Sequence, residues 1–196
     1  MPEPLPRDLR ASPSAVSARE RLVAELREHA LVVGKVTLSS GLEADYYVDA
    51  KRAILRPTGF AALASLVAAE AERLGATAVG GLTMGADPVA CAALAGGASA
   101  NAFFVRKERK AHGLQRWIEG PTLGDGDRCL IVEDVVTTGG STVTAIERVR
   151  EERLEVIGVL SVLDRLAGGR EAIEAVAAPY TALTTIDDVH PDRPDR

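Results

Sequence analysis

Cysteine is nearly absent: the chain has two in 196 residues, Cys91 and Cys129, each inside an apolar run. Neither has a neighbour at metal-ligand spacing, which argues against a disulfide scaffold and a cysteine-based zinc site. Positive charge is not in excess either, since 23 Lys and Arg face 28 Asp and Glu, a net charge of −5. A dedicated nucleic-acid binder needs a basic surface, so no nucleic-acid partner is expected. Long hydrophobic runs are missing too. The most apolar stretch, Phe60 to Ala98, is broken by Glu70, Glu72, Arg73, Asp87 and Pro88, and no membrane span fits that spacing. Met1 to Arg10 carries prolines and both charge signs instead of an apolar signal region. There is no Walker loop, no glycine fingerprint of dinucleotide folds and no internal repeat. The expectation is an acidic globular protein of a reducing compartment, the cytoplasm, with no membrane partner and one domain over 1–196.

What the chain does contain is rhythm. Residues 1–16 and 187–196 read as loose termini, and 17–56 as an N-terminal helix followed by a hairpin. Ser17 followed by Glu20 reads as a capping box that opens a helix with Leu22, Val23, Leu26 and Ala30 on one face. Val36–Leu38, a Ser39-Ser40-Gly41 turn and Tyr46–Val48 read as the hairpin. Over 57–186, strands and helices alternate. Helices are predicted over Pro57–Leu74, from Asp87-Pro88, over Ser141–Arg153 and near Gly169–Ala177. Strands are predicted over Ala76–Gly80, Ala102–Val105, Cys129–Val132, Val156–Leu163 and near Tyr180–Thr185. Continuous apolar strands alternating with helices imply an α/β fold, with a parallel central sheet flanked by helices.

In open sheets of this kind a ligand lies beyond the carboxyl ends of the strands. Four polar or glycine-rich segments follow predicted strands directly: Gly81–Gly85, Arg106–His112, Glu133–Ser141 and Asp164-Arg165. The third carries the most chemistry. A buried strand leads into Glu133-Asp134-Val135-Val136-Thr137-Thr138-Gly139-Gly140-Ser141 and then a helix. Backbone N–H groups of such a turn, its hydroxyls and the helix N-terminus form a cradle for a monophosphate. Two adjacent carboxylates just before it suit the vicinal hydroxyls of a ribose, or a hydrated Mg²⁺. Between Arg106 and Arg116 lie five Lys or Arg and one acid, a net +4 in an acidic chain.

Glu133 to Ser141 resembles the phosphoribosyl pyrophosphate (PRPP) motif of the type I phosphoribosyltransferases, and the surrounding segments resemble the orotate-specific branch. The resemblance spans roughly Leu22 to Asp188. It implies the family's α/β fold with a small N-terminal hood, and an enzyme transferring phosphoribose from PRPP to orotate. Arg106-Lys107-Glu108-Arg109-Lys110-Ala111-His112-Gly113 is similar to the family's basic catalytic loop. By that resemblance Arg106, Lys107, Lys110 and His112 contact the pyrophosphate, with Lys110, His112 and Asp134 catalytic. The same loop serves the neighbouring subunit in the family, which implies a homodimer with shared sites. Glu133, Asp134, Val135, Val136, Thr137, Thr138, Gly139, Gly140 and Ser141 would hold PRPP. Thr137, Arg165 and Tyr47 would meet orotate, Arg165 through the base's carboxylate. Mg²⁺ is the expected cofactor, bound mainly through PRPP and water and without a protein metal site.

Two segments depart from a plain match. Gly81–Asp87 resembles the family's pyrophosphate loop, which often holds a non-proline cis peptide, but it also suits an ordinary strand-to-helix turn. The hairpin has Ser39 where many members have a PRPP-contacting lysine, leaving Lys51 or Arg52 as alternative sources of that charge. Tyr46 and Tyr47 suit a hairpin core, and Tyr47 equally suits base stacking. Two other functions share the pattern: a phosphoribosyltransferase for another base, and a PRPP-sensing regulator without catalysis.

Overall fold

The computed structural model describes residues 13–37, 43–109 and 116–194. Helix α1 (Pro13–Glu25) continues through a π-helical turn, Leu26–Ala30, into strand β1 (Leu31–Thr37), which pairs antiparallel with β2 (Glu43–Val48). A short helix α2 (Lys51–Ile54) leads to α3 (Pro57–Leu74). The core then runs β3 (Ala78–Leu82), α4 (Ala86–Ala95), β4 (Asn101–Val105), β5 (Ile118–Glu119), β6 (Arg128–Val136), α5 (Gly140–Glu151), β7 (Glu155–Asp164), α6 (Gly169–Glu174), β8 (Tyr180–Thr185) and α7 (Ile186–Val189).

The six-stranded sheet has the order β5-β4-β3-β6-β7-β8 and is parallel except for β5, a two-residue edge strand that returns antiparallel on β4. Along β6, Cys129 and Ile131 pack with α5, whereas Leu130 and Val132 face the opposite layer of α3 and α4. Both faces are covered, so the strand is apolar at every position from Cys129 to Val132. α3 has the bounds its sequence predicts. Pro57 starts it where a missing N–H costs nothing, and Gly75 (φ +65°) ends it in the left-handed conformation.

Several expectations change. The Ser17–Glu20 capping box does not form: α1 begins at Pro13, and Ser17 Oγ accepts from the Arg21 guanidinium at 2.6 Å inside the helix. Leu22, Leu26 and Ala30 are fully buried, as the helical spacing requires, and Val23 is half-buried. β6 extends four residues beyond the predicted Cys129–Val132, so Glu133 to Val136 belong to the strand and not to a loop after it. Asp187, expected to begin a loose tail, lies in α7. There Thr185 and Asp188 make a reciprocal cap, Arg19 donates to Asp188 at 2.6 Å, and Asp187 pairs with Arg193. β5 and α2 carry no pattern long enough to be read from sequence. The Ser39-Ser40-Gly41 turn and residues 1–12 lie outside the described residues.

Candidate active site

The carboxyl ends of β3, β4, β6 and β7 stand side by side, so the four polar segments share one edge of the sheet. At the end of β6, Gly139 (φ +80°) turns the chain into α5. A side chain there would be strained by that φ, and its Cβ would press on Gly169 O at 2.9 Å. The first helical hydrogen bond runs from Val143 N–H to Gly139 O at 2.9 Å. The amides of Gly140, Ser141 and Thr142 therefore sit at the helix N-terminus, where backbone N–H groups and the dipole favour an anion. Thr138, Gly140 and Ser141 are exposed and Thr137 is half-buried, so hydroxyls and amides are open together. Val136 is not: its side chain is buried and its carbonyl accepts from Arg165 N–H at 2.9 Å. Val135 is half-buried against the α3 layer.

Strand geometry sends the two acids to different neighbours. Glu133, 5% exposed, accepts from Ser141 Oγ at 2.7 Å. Burial pushes its carboxyl well above the ordinary range; the nearby charge of Asp134 adds to this, and the Ser141 hydrogen bond opposes it. Asp134, 8% exposed, accepts from Val135 N–H at 2.8 Å through Oδ1 and from Lys51 Nζ at 3.1 Å through Oδ2. Lys51 also reaches Asp49 at 2.8 Å. Burial works against its ammonium, but hydrogen bonds and attraction from Asp49 and Asp134 outweigh it and hold the proton more tightly. Gly85, after β3, lies so close that a Cβ there would overlap Asp134 Oδ1. Lys51, and not the exposed Arg52, thus brings positive charge to the acids before the cradle.

In Gly81–Asp87 the Thr83–Met84 peptide is cis, as in the loop this segment resembles. Thr83 Oγ1 donates to Asp87 Oδ2 at 2.7 Å, and Met84 is exposed. Beyond β4, Arg106 pairs with Glu119 at 3.1 Å and Lys107 is exposed. Lys110 and His112 lie outside the described residues. Sequence reasoning missed the anchor of this segment on α5. Trp117, the one tryptophan of the chain, carries the guanidinium groups of Arg109 (4.9 Å) and Arg148 (4.2 Å) over its ring. Its indole N–H donates to Glu151 at 2.7 Å, and its backbone N–H donates to Glu152 at 2.8 Å. The Trp117 hydrogen bond first, then Arg109, holds the Glu151 carboxyl below the usual range.

At the end of β7, Arg165 emerges beside the cradle with its guanidinium over the ring of Tyr46, 5.1 Å from the centroid. Its Nε is buried without a hydrogen-bond partner. On β2, Tyr46 is 3% exposed and Tyr47 39%, as strand alternation requires. Tyr46 is therefore the hairpin-core residue, and Tyr47 is the one open to a ligand. Among the described residues no group of three or more His, Cys, Asp and Glu could hold a metal ion. No described helix is long and apolar enough to cross a membrane.

Comparison with known proteins agrees with this geometry. Residues 71–187 match the family model described as a phosphoribosyl transferase domain. The chain is 47% identical over 175 residues to the orotate phosphoribosyltransferase of Corynebacterium glutamicum strain R, covering 89% of this chain and 95% of that one. It superposes with a TM-score of 0.81 on Mycobacterium tuberculosis H37Rv orotate phosphoribosyltransferase in complex with Fe(III) dicitrate, at 45% identity over 88% of this chain and 99% of that one. The same Mycobacterium enzyme in complex with PRPP gives 0.76, at 40% identity over 88% and 98%. With the cradle, the paired acids and this likeness along most of its length, the chain belongs to the orotate phosphoribosyltransferase family.

Proposed function

We infer that the protein transfers phosphoribose from PRPP to N1 of orotate, giving orotidine 5'-monophosphate and pyrophosphate, in pyrimidine synthesis. The observation that carries this is one sheet edge holding three features. They are a helix N-terminus behind exposed hydroxyls, two buried acids before it, and Arg165 with a buried, unpartnered Nε. Thr137 to Ser141 hold the 5'-phosphate through backbone N–H groups and hydroxyls. Glu133 and Asp134 take the ribose hydroxyls, and the Lys51 ammonium orients the Asp134 carboxylate. Arg165 offers a planar fork to the carboxylate of orotate. A purine has no matching carboxylate, and a DNA-reading regulator would need an overall excess of positive charge, whereas this chain has a net charge of −5.

Departure of pyrophosphate builds positive charge on the ribose and negative charge on the leaving group. Lys107, Lys110 and His112 are the groups proposed to stabilise the latter. Two hard-oxygen acids side by side, with a single lysine on one of them, fit a Mg²⁺-bearing ligand. Mg²⁺ would arrive with PRPP and supply further charge neutralisation. The proposed assembly is a homodimer in the cytoplasm that shares its basic segments between sites. In support, Arg109 rests on Glu151 at the far end of α5, roughly 16 Å along the helix axis from its own cradle. The test is to mix protein, PRPP, Mg²⁺ and a panel of bases, and to follow nucleotide and pyrophosphate. Orotate should be consumed only when PRPP and Mg²⁺ are both present. Tight PRPP binding without reaction of any base would instead make the chain a sensor.

A further inference from the structure

The turn that carries Arg165 is fixed from beneath. Arg165 N–H donates to Val136 O at 2.9 Å, and Leu166 N–H donates to Asp164 Oδ1 at 2.8 Å. Asp164 is fully buried, and its Oδ2 accepts from the Tyr180 hydroxyl at 3.2 Å. These contacts set the backbone but leave the arginine side chain its own torsions. What limits those torsions comes from the hood. The Tyr46 ring lies 5.1 Å from the guanidinium carbon, and the His190 ring packs edge-on against Tyr46 at 5.2 Å and 78°. Tyr46 is buried between a residue of the C-terminal segment and the arginine, so its ring has little room to turn.

The unpartnered Nε makes this contact more than packing. A buried charged donor without an acceptor is costly, so the guanidinium is held here with its hydrogen bonding incomplete, against the aromatic face and not by a protein acceptor. We infer that Tyr46 is a positioning residue for base recognition: its ring face holds the Arg165 guanidinium in the plane in which its fork meets the carboxylate of the base. The inference rests on the proposed role of Arg165. A fork held in one plane loses less entropy when it pairs with a planar carboxylate. Part of the selectivity for orotate is thereby built by the N-terminal hairpin, which touches the base's partner instead of the base.

The test varies the electron density of the ring while keeping its shape. Position 46 is filled with phenylalanine, then with 4-fluoro-, 3,5-difluoro- and pentafluorophenylalanine, and steady-state constants are measured for orotate, uracil and PRPP. Phenylalanine should stay within about twofold of the parent for orotate KM, since it retains the ring face. Across the fluorinated series orotate KM should rise stepwise, by about three- to tenfold in all, as the cation–π attraction weakens. PRPP KM and the use of uracil should stay flat. Because fluorine is small, the buried hairpin accommodates the series. An orotate KM indifferent to fluorination, or one that moves together with PRPP KM, overturns the inference. Arg165→Ala measured alongside separates the two ideas. If that variant leaves orotate use unaltered, the role of Arg165 falls and that of Tyr46 with it. If it damages orotate use while fluorination does nothing, only the role of Tyr46 falls.

Discussion

Lys51 Nζ stands 3.1 Å from Asp134 Oδ2, joining the hood to the strand that ends in the proposed phosphate cradle. The same ammonium is 2.8 Å from Asp49, so one cation compensates two acids. Lys51→Met should therefore act on PRPP more than on the fold. We expect PRPP KM to rise by about 5–20-fold, the range for losing one charge-assisted contact at a partly solvated site, with orotate KM changing far less. Steady-state kinetics with each substrate varied in turn decide this. Equal losses for both substrates would assign Lys51 to holding the hood in place.

Arg165→Ala should remove the preference for orotate. Truncating one side of a desolvated arginine–carboxylate contact costs roughly 2–5 kcal/mol, so kcat/KM for orotate should fall at least ~30-fold. Uracil, which lacks the carboxylate, should lose almost nothing. Competition between the two bases at fixed PRPP measures the change directly, and parallel losses would mean that the carboxylate is read elsewhere.

Glu133 sets a pH dependence of stability in the ligand-free protein. Burial pushes its carboxyl up to about 8 in the folded chain, against an ordinary value of 4.5. The folded state thus holds this proton more tightly than the unfolded state. The stability it contributes is fully present below pH 4.5 and is lost as pH rises through about 8. Glu133→Gln has no such proton to lose. Its Tm should match the parent near pH 4.5 and exceed it at pH 9 by at least about 3 °C, equivalent to about 1 kcal/mol at this chain length. Thermal melts across that range check the sign, and a pH-independent difference would contradict it. The same variant should bind PRPP more weakly.

Trp117 reports on the basic segment. It is the chain's single tryptophan, in contact with the guanidinium groups of Arg109 and Arg148 and hydrogen-bonded to Glu151. If Arg106 and Lys107 turn to pyrophosphate, Arg106 must leave Glu119 and the indole's surroundings must change. PRPP with Mg²⁺ should therefore shift or quench tryptophan emission, and orotate alone should not. Emission blind to saturating PRPP would mean that this anchor stays in place during the reaction.

The proposed sharing of sites between subunits predicts complementation. Lys110→Ala should lower turnover by roughly 10²–10³, the range for one lost electrostatic contact to a developing charge. A Glu133→Ala/Asp134→Ala chain should be inactive through loss of the ribose site. Mixing the two should restore activity if Lys110 serves the partner, because each hybrid then carries one intact site. A verified hybrid without activity would mean that each chain completes its own site.

The cradle was legible from residues alone because its parts are contiguous. A strand, acids, hydroxyls and glycines within a dozen positions leave the backbone few ways to run. The same holds for α3, bounded by Pro57 and Gly75, and for the apolar runs that became β3, β6 and β7. What the tertiary structure alone decided was which distant groups meet. Periodicity stops at a polar residue, so it ended β6 at Val132. The sheet carries that strand on to Val136, because β7 offers hydrogen-bond partners as far as Asp164. Whether Lys51 or Arg52 would face the acids, and which of Tyr46 and Tyr47 would be buried, depended on how the hairpin docks. No local propensity records that. Lys51 on Asp134, Tyr46 under Arg165 and Arg19 on Asp188 each join segments far apart in the chain. Such pairs exist only once the core has closed, since the packed sheet and helices bring their backbones within reach.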